Sequence, residues 1–249
     1  MKALLRLLGL TLLAGLGLQL YFVARVALMA VLDPESTTFQ RSEAYLVVKH
    51  TGTLKWRQQW VPYENLSAHL KRAVIASEDA SFVVHDGVDL EALEKAWEKN
   101  ARAEQRAAQA GNRLAPSPSA RLGAKPPKII GGSTITQQLA KNLFLSGERT
   151  LLRKGEELLL SLLLEALLSK QRILEIYLNN VEWGEGIFGA EAAAQHYYRK
   201  PASRLSAYEA ARLAVMLPRP KYFETRPNSA YLAARAGTIT ARMGGVELP

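Results

Sequence analysis

The longest apolar run of the chain lies near its N-terminus. Residues 7–24 carry no charge, and as a helix they would span about 27 Å, close to the hydrocarbon thickness of a bilayer. Lys2 and Arg6 precede the run, so the positive-inside rule places the N-terminus in the cytoplasm and the remainder of the chain outside. A cleaved signal peptide has a similar charged start and apolar middle, but no small-x-small cleavage site follows. We therefore predict a cytoplasmic stub and one transmembrane anchor over residues 1–32, with a domain over 33–249.

Most of the remaining pattern has the period of a helix. Leu66, Leu70 and Val74 recur every four residues, and Ser67 is a suitable N-cap. By contrast, residues 45–48 and 54–56 flank Thr51-Gly52 and predict a short β-hairpin. Further apolar patterns with caps predict helices that begin near Asp89, Ser133 or Thr134, Thr150, Arg172, Ala190, Ser206 and Ser229. The pattern thus predicts one mainly α domain with a short N-terminal β-hairpin, preceded by one transmembrane helix.

The pattern changes between residues 98 and 128. Ala, Arg, Gln and Gly dominate there, Pro-Ser-Pro and Pro-Pro follow, and large apolar residues nearly vanish. We interpret residues 98–128 as a mobile basic insertion within the domain. A solvated tether without function fits this composition as well as a ligand-binding role does.

The charge balance adds information about partners. The net charge is +9 and the isoelectric point is about 9.7, which favours an anionic partner such as nucleic acid, an anionic membrane surface or a phosphorylated substrate. The chain has no cysteine, which excludes a disulfide framework and a thiolate site.

One acidic stretch is a candidate for proton transfer. Glu78 ends an apolar run at residues 73–76, and Phe82 and His85 follow it by four and seven residues, so all three would share a helix face. A carboxylate at the end of a buried segment is poorly solvated, which raises its pKa and suits it to acid–base chemistry. A helix end with solvated acids fits this stretch equally well.

A second acid and a group of cations come later in the chain. Glu157 lies one helical turn after Arg153 and Lys154 on an otherwise apolar helix, where a carboxylate needs a cationic partner. We define the cationic cluster as four side chains near two helix starts, which form a candidate phosphate site: Lys141, Arg149, Arg153 and Lys154. A structural ion pair at Glu157 and a solvated cationic face near anionic lipid are the alternatives.

Taken together, five stretches resemble the signatures of the monofunctional biosynthetic peptidoglycan transglycosylases, which are lysozyme-like family 51 glycosyltransferases. In order, the sequence has Glu-Asp-x-x-Phe-x-x-His-x-Gly at 78–87, Gly-Gly-Ser-Thr-Ile-Thr-Gln-Gln at 131–138 and Arg-Lys-x-x-Glu at 153–157. Arg-x-x-Glu-x-Tyr-Leu-Asn at 172–179 and a weaker Leu-Pro-x-Pro at 217–220 follow. The segment between the first two signatures is longer than is usual in the family.

The resemblance implies a lysozyme-like, mainly α fold that polymerises lipid II into linear glycan strands for peptidoglycan synthesis. It implies β-1,4 bond formation with release of undecaprenyl pyrophosphate, in which the catalytic residues are Glu78, as the base, and Glu157, which orients the cations, a metal or the acceptor. The cationic cluster would neutralise the pyrophosphate. Four polar residues would bind sugar and phosphate: Ser133, Thr134, Gln137 and Gln138. Four more would support the cleft: Asp79, Phe82, His85 and Gly87.

The expected partners follow from the same resemblance. They are lipid II, the lipid-linked growing glycan, the cytoplasmic membrane and other cell-wall synthesis or division proteins, but no nucleic acid. A divalent cation, Mg²⁺ or Mn²⁺, is an expected cofactor, and the domain should face the periplasm from the inner membrane. A lysozyme-like glycan hydrolase and a non-catalytic anchored glycan-binding protein are the alternatives.

Overall fold

The computed structural model describes residues 1–114, 132–145 and 150–249. The described residues form these helices: α1 (Lys2–Leu28), α2 (Thr38–Thr51), α3 (Ala68–Glu78), α4 (Leu90–Leu114), α5 (Ile135–Phe144), α6 (Leu151–Leu167), α7 (Lys170–Asn180), α8 (Ala190–Tyr198), α9 (Ala207–Met216), α10 (Pro220–Glu224) and α11 (Ala230–Arg242). Short 3-10 turns occur at Tyr63–Asn65, Ala202–Arg204 and Met243–Gly245. The prediction of a mainly α fold is confirmed.

The predicted β-hairpin at residues 45–56 is wrong, because α2 occupies most of this stretch. A capping box between Thr37 and Gln40 begins the helix, and Gly52 ends it in the left-handed conformation with φ 70°. A Thr-Gly pair followed by polar residues suits a hairpin turn and a helix C-cap alike, since both need a positive φ. The described sheet lies elsewhere, where β1 (Glu182–Gly184) pairs antiparallel with β2 (Ile187–Phe188).

The chain divides into two compact units, one of residues 1–88 and 134–249, and one of residues 89–133. In the smaller unit, α4 is helical through Leu114, so residues 98–114 of the predicted mobile basic insertion belong to a helix. Ala, Arg, Glu and Gln are strong helix formers, and the scarcity of large apolar residues predicts weak packing rather than the absence of a helix. Residues 115–128 of the predicted insertion lie outside the described residues.

The core of the larger unit forms where α3, α9 and α11 pack together and where α5 packs on α6 and α7. Its largest fully buried side chains include Trp183, Tyr177 and Phe82, and the Trp183 indole donates a 3.0 Å hydrogen bond to the Leu213 carbonyl. This core includes the C-terminal part of α3 and the N-terminal part of α5. Phe82 of the first signature stretch and Ile135 of the second are both part of this core.

Helix α1 joins this core at its C-terminal end. Within the described residues it is the helix that is long and apolar enough to cross a membrane. Most of its side chains are exposed, whereas Val26 and Met29 are buried in the core, and Phe22 meets the Phe144 ring edge-on at 5.4 Å. The apolar helix predicted from residues 7–24 is therefore present and is packed against the domain at one end.

A single arginine fastens the segment that follows α1. Arg172 Nε donates to the Met29 carbonyl at 2.8 Å, and its Nη2 donates to the Leu32 carbonyl at 3.0 Å and to Asp33 Oδ1 at 2.7 Å. Its Nη1 pairs with Glu175 Oε2 at 3.0 Å on the same helix. We refer to this set of contacts as the Arg172 clamp, which fixes the exit of α1 to the start of α7.

Candidate active site

Glu78 lies at the C-terminus of α3 with its side chain partly buried. Burial raises the pKa of its carboxyl above the ordinary value, and the charge of Asp79 raises the pKa further. Hydrogen bonds from Gln138 and Ser77, and the charge of Arg235 on α11, act in the opposite direction on this pKa. The result is a carboxyl group that accepts a proton more readily than a solvated glutamate does.

A chain of two hydrogen bonds orients this carboxylate. Gln138 Nε2 donates to Glu78 Oε2 at 3.1 Å, and the Tyr177 hydroxyl donates to Gln138 Oε1 at 2.9 Å. Since Tyr177 is fully buried on α7, it fixes the side-chain amide of Gln138 with the amino group toward Glu78. The sequence analysis assigned Gln138 to sugar and phosphate binding and did not single out Tyr177, although this tyrosine belongs to the fourth signature.

Asp79 has a different environment from its neighbour. Its carboxylate accepts a 2.9 Å hydrogen bond from the backbone N–H of Ile135 at the start of α5. It also lies 2.9 and 3.1 Å from Nε2 of His85, through its two oxygens. An ionised carboxylate only accepts hydrogen bonds, so His85 donates from Nε2. Asp79 therefore connects the end of α3, the loop that follows and the start of α5.

The described residues of the second signature include both buried capping residues and an exposed serine. Thr134 and Gln137 form a reciprocal capping box that begins α5, and the Thr134 hydroxyl donates to the Gly87 carbonyl at 2.6 Å. Both residues are buried. Their side chains therefore make hydrogen bonds within the protein with groups that were expected to bind sugar and phosphate. Ser133 is exposed, and Gln138 is directed to Glu78.

A partly buried ion pair contacts the loop between α3 and α4. Lys170 Nζ donates to the His85 carbonyl and, at 2.8 Å, to Glu165 Oε1, and it lies 4.6 Å from the centre of the buried Phe82 ring. Gly87 has φ 85°, and a Cβ there would come within 3.0 Å of Glu165 Cγ. Phe82 and Gly87 of the first signature are thus held by packing, whereas the His85 ring is held by its hydrogen bond with Asp79. Lys170 and Glu165 were not identified from the sequence.

Glu157 is buried on α6 and pairs with both predicted cations. Lys154 Nζ bonds to Glu157 Oε1, and Arg153 Nη1 lies 3.5 Å from Glu157 Oε2. The structure thus brings together Glu157, Arg153 and Lys154, as the helical spacing predicts. Lys141 is exposed on α5, while Arg149, the fourth member of the cationic cluster, lies outside the described residues.

The described residues contain no group of three or more His, Cys, Asp or Glu side chains that could hold a metal ion. The Glu157 carboxylate is already shared between two cations. The donor set therefore does not form a metal site made by protein side chains alone.

Comparisons with known proteins identify the family of the chain. A family described as "Transglycosylase" matches residues 47–112 and 121–244. The chain is similar to a "Biosynthetic peptidoglycan transglycosylase" of Burkholderia thailandensis, with 52% identity over 95% of this chain and 84% of the relative. It is similar to proteins of that description from Burkholderia pseudomallei, at 51% identity over 95% and 84%, and from Burkholderia multivorans, at 49% over 95% and 87%. The chain therefore belongs to the transglycosylase family and is a glycosyltransferase of peptidoglycan synthesis.

Proposed function

We propose that the chain polymerises lipid II into linear glycan strands, forming β-1,4 bonds and releasing undecaprenyl pyrophosphate. The observation that carries the proposal is the buried Glu78 carboxyl, whose pKa is raised and whose oxygen is held by Gln138. A base that must take a proton from a sugar hydroxyl works best when its pKa approaches the working pH. The membership in a family of peptidoglycan transglycosylases supports this substrate class.

In the proposed reaction, Glu78 removes the proton of the acceptor 4-hydroxyl group. The acceptor oxygen then forms a bond with the anomeric carbon of the lipid-linked growing chain, while the bond from that carbon to the pyrophosphate oxygen breaks. The electron pair of the broken bond leaves with the pyrophosphate, and the proton stays on Glu78 until it passes to water. Attack from the face opposite the leaving group inverts the anomeric centre and gives the β configuration.

The leaving pyrophosphate needs neutralisation of its charge more than it needs a proton. Arg153 and Lys154 would supply that charge, with Lys141 and Arg149 as the further predicted members of the cationic cluster. Glu157 pairs with Arg153 and Lys154, so in this proposal it positions the two cations. Mg²⁺ usually binds through one or two carboxylates plus substrate phosphates. Binding of Mg²⁺ or Mn²⁺ with the pyrophosphate remains a proposal, and no step above depends on it.

The proposed setting is the periplasmic face of the inner membrane. Helix α1 is apolar and long enough to anchor the chain, and Lys2 and Arg6 at its start favour a cytoplasmic N-terminus. This arrangement would hold Glu78 close to a substrate that is itself embedded in the membrane by its lipid.

The test is polymerisation of purified lipid II by the full chain, with Glu78→Gln measured beside the wild type. Loss of a general base costs about 10²–10⁴-fold in rate, so we expect the variant to form almost no glycan while its thermal unfolding stays cooperative. Glu64→Gln is the control, since Glu64 is exposed in the turn Tyr63–Asn65 and should leave the rate close to that of the wild type.

The reaction products distinguish the proposed polymerase from a glycan hydrolase and from a non-catalytic glycan-binding protein. Release of undecaprenyl pyrophosphate with growing glycan supports a polymerase, whereas shortening of purified peptidoglycan without lipid release would indicate a hydrolase. Glycan binding that survives Glu78→Gln, with no turnover by the wild type, would indicate a non-catalytic protein.

A further inference from the structure

A cavity of about 280 Å³ lies where the chain leaves α1 and enters α2. Arg25 and Leu28 of α1, Arg41 of α2 and residues 32–36 of the connecting segment line it, above the buried Met29. We call it the α1–α2 cavity. Its described lining includes no residue assigned above to the proposed reaction, and its volume is near the lower end of the range for small-ligand sites.

The position along α1 places this cavity at the level of lipid head groups. Residues 7–24 carry no charge and span about 27 Å as a helix, so in the proposed membrane setting Arg25 lies at the edge of the hydrocarbon layer. Leu28 and Leu32 line the cavity and are exposed, whereas Glu35 is charged. The lining thus changes from apolar to charged, as a phospholipid does between its acyl chains and its head group.

Two guanidinium groups and one carboxylate of the α1–α2 cavity are not neutralised by the protein. Arg25 Nη1 donates to the Tyr21 hydroxyl at 3.1 Å, and Arg41 Nη1 donates to the Ser36 carbonyl at 3.1 Å, so neither contact supplies a negative charge. Glu35 is exposed. Within the described residues, none of these three charged side chains forms an ion pair, although all three line one cavity.

The Arg172 clamp fixes the wall to which Glu35 belongs. Arg172 Nη2 holds the Leu32 carbonyl at 3.0 Å and Asp33 Oδ1 at 2.7 Å. The Asp33 carboxylate is therefore paired within the protein. Of the two carboxylates in the described lining, Glu35 is the one open to a ligand.

This combination of charges matches a zwitterion. A phosphate accepts charge-assisted hydrogen bonds from guanidinium groups, and a primary ammonium group donates hydrogen bonds to a carboxylate. Phosphatidylethanolamine carries both groups, joined by two carbon atoms. Phosphatidylglycerol has the phosphate without the cation, and the quaternary ammonium of phosphatidylcholine has no N–H donor.

We propose that the α1–α2 cavity binds the head group of one phosphatidylethanolamine molecule, with its phosphate at Arg25 and Arg41 and its ammonium group at Glu35. The inference rests on the proposed anchoring by α1 and does not depend on the proposed reaction. A chain with a net charge of +9 attracts anionic lipid over the neutral lipid by long-range electrostatics. A preference for the neutral phosphatidylethanolamine therefore distinguishes this site from general attraction to a membrane.

The experiment is native mass spectrometry of the purified full chain, in detergent micelles with equal amounts of phosphatidylethanolamine, phosphatidylglycerol and phosphatidylcholine. We expect the wild type to retain one phosphatidylethanolamine in preference to the other two lipids. Glu35→Gln should weaken that retention about fivefold, which is the upper range for an exposed ion pair, without weakening retention of phosphatidylglycerol. Arg41→Gln should weaken both, because both lipids carry the phosphate.

Glu247→Gln is the matched control, since Glu247 is exposed near the C-terminus and lies outside the described lining of the cavity. It should retain lipid as the wild type does. Equal retention by Glu35→Gln and Glu247→Gln would overturn the proposal. Retention of phosphatidylglycerol at or above that of phosphatidylethanolamine by the wild type would overturn it in favour of a general anionic-lipid surface.

Soluble phosphoethanolamine distinguishes a lipid from its free head group. It lacks the acyl chains that would lie beside Leu28 and Leu32, so at the concentration of the lipid it should displace little phosphatidylethanolamine. Full displacement at equal concentration would replace the lipid site with a site for small phosphate compounds.

Flotation of the wild type with phosphatidylcholine vesicles tests the anchoring separately. A chain that floats but shows no preference among the three lipids removes the head-group site alone. A chain that does not float removes the proposed anchoring and this site with it. Neither measurement needs turnover, so the outcome of the polymerisation assay does not affect them.

Discussion

At Glu78, burial disfavours the ionised carboxylate while the Gln138 amide and the Ser77 hydroxyl favour it. In the proposed reaction, this balance decides the pH at which Glu78 becomes available as the base, since a carboxylate must be ionised to accept a proton. Because burial is the largest effect, the pKa lies above the ordinary glutamate value. Activity should therefore rise with pH along an acid limb that belongs to Glu78.

Gln138→Leu tests this balance. Loss of the 3.1 Å hydrogen bond removes stabilisation of the ionised form, so the pKa of Glu78 should increase and the acid limb of kcat/KM should move to higher pH. The measurement is the pH profile of lipid II polymerisation at low substrate concentration. Tyr177→Phe keeps the Gln138 amide and removes only the hydroxyl that donates to it at 2.9 Å. It should therefore move the acid limb of kcat/KM in the same direction, but by a smaller amount.

A purely structural role for Gln138 predicts a different result. In that case the whole profile of Gln138→Leu would fall in height while its acid limb stayed at the wild-type pH. The same outcome would show that the limb reports a group other than Glu78.

At the scale of elements, Asp79 connects three segments through one carboxylate. It accepts from the Ile135 N–H and from His85 Nε2, and a negative charge at the start of α5 is also favoured by the helix dipole. The residue therefore determines how the first and second signature stretches meet.

Asp79→Asn should lower stability because the amide is uncharged and offers a single acceptor oxygen. Hydrogen bonds to charged groups contribute about 1.5–3 kcal/mol each, so we expect a loss of about 2 kcal/mol in the free energy of unfolding, measured with denaturant. The adjacent Glu78→Gln is the matched control and should be close to neutral, since burial already disfavours the Glu78 charge. Equal destabilisation by both variants would contradict the assignment of separate roles.

Much of the helical framework could be predicted from local sequence. Ser67, Thr134 and Ser206 cap the helices that their spacing predicts, because capping depends on residues within one turn. The contacts of Tyr177 with Gln138, and of Lys170 with the His85 carbonyl, could not be predicted. They join residues 39 and 85 positions apart in the chain, so they depend on how helices pack rather than on any local pattern.

For the whole molecule, the absence of cysteine gives a clean background for testing membrane orientation. Single cysteines can replace Lys2, the first residue of α1, and Ser229, the N-cap of α11. With a membrane-impermeant maleimide on intact spheroplasts, we expect labelling of Ser229→Cys, and labelling of Lys2→Cys only after permeabilisation. The reverse pattern would place the domain in the cytoplasm and remove the proposed periplasmic setting.

The Arg172 clamp has a consequence for how a polymer grows. It binds two carbonyls and the Asp33 carboxylate just after α1. These bonds restrict the movement of the domain relative to α1. In the proposed membrane setting, Glu78 would therefore keep a constant height above the lipid surface. In the proposed reaction, each new sugar would be added at that height, so the finished part of the strand would extend outward while its lipid-linked end stayed at the membrane.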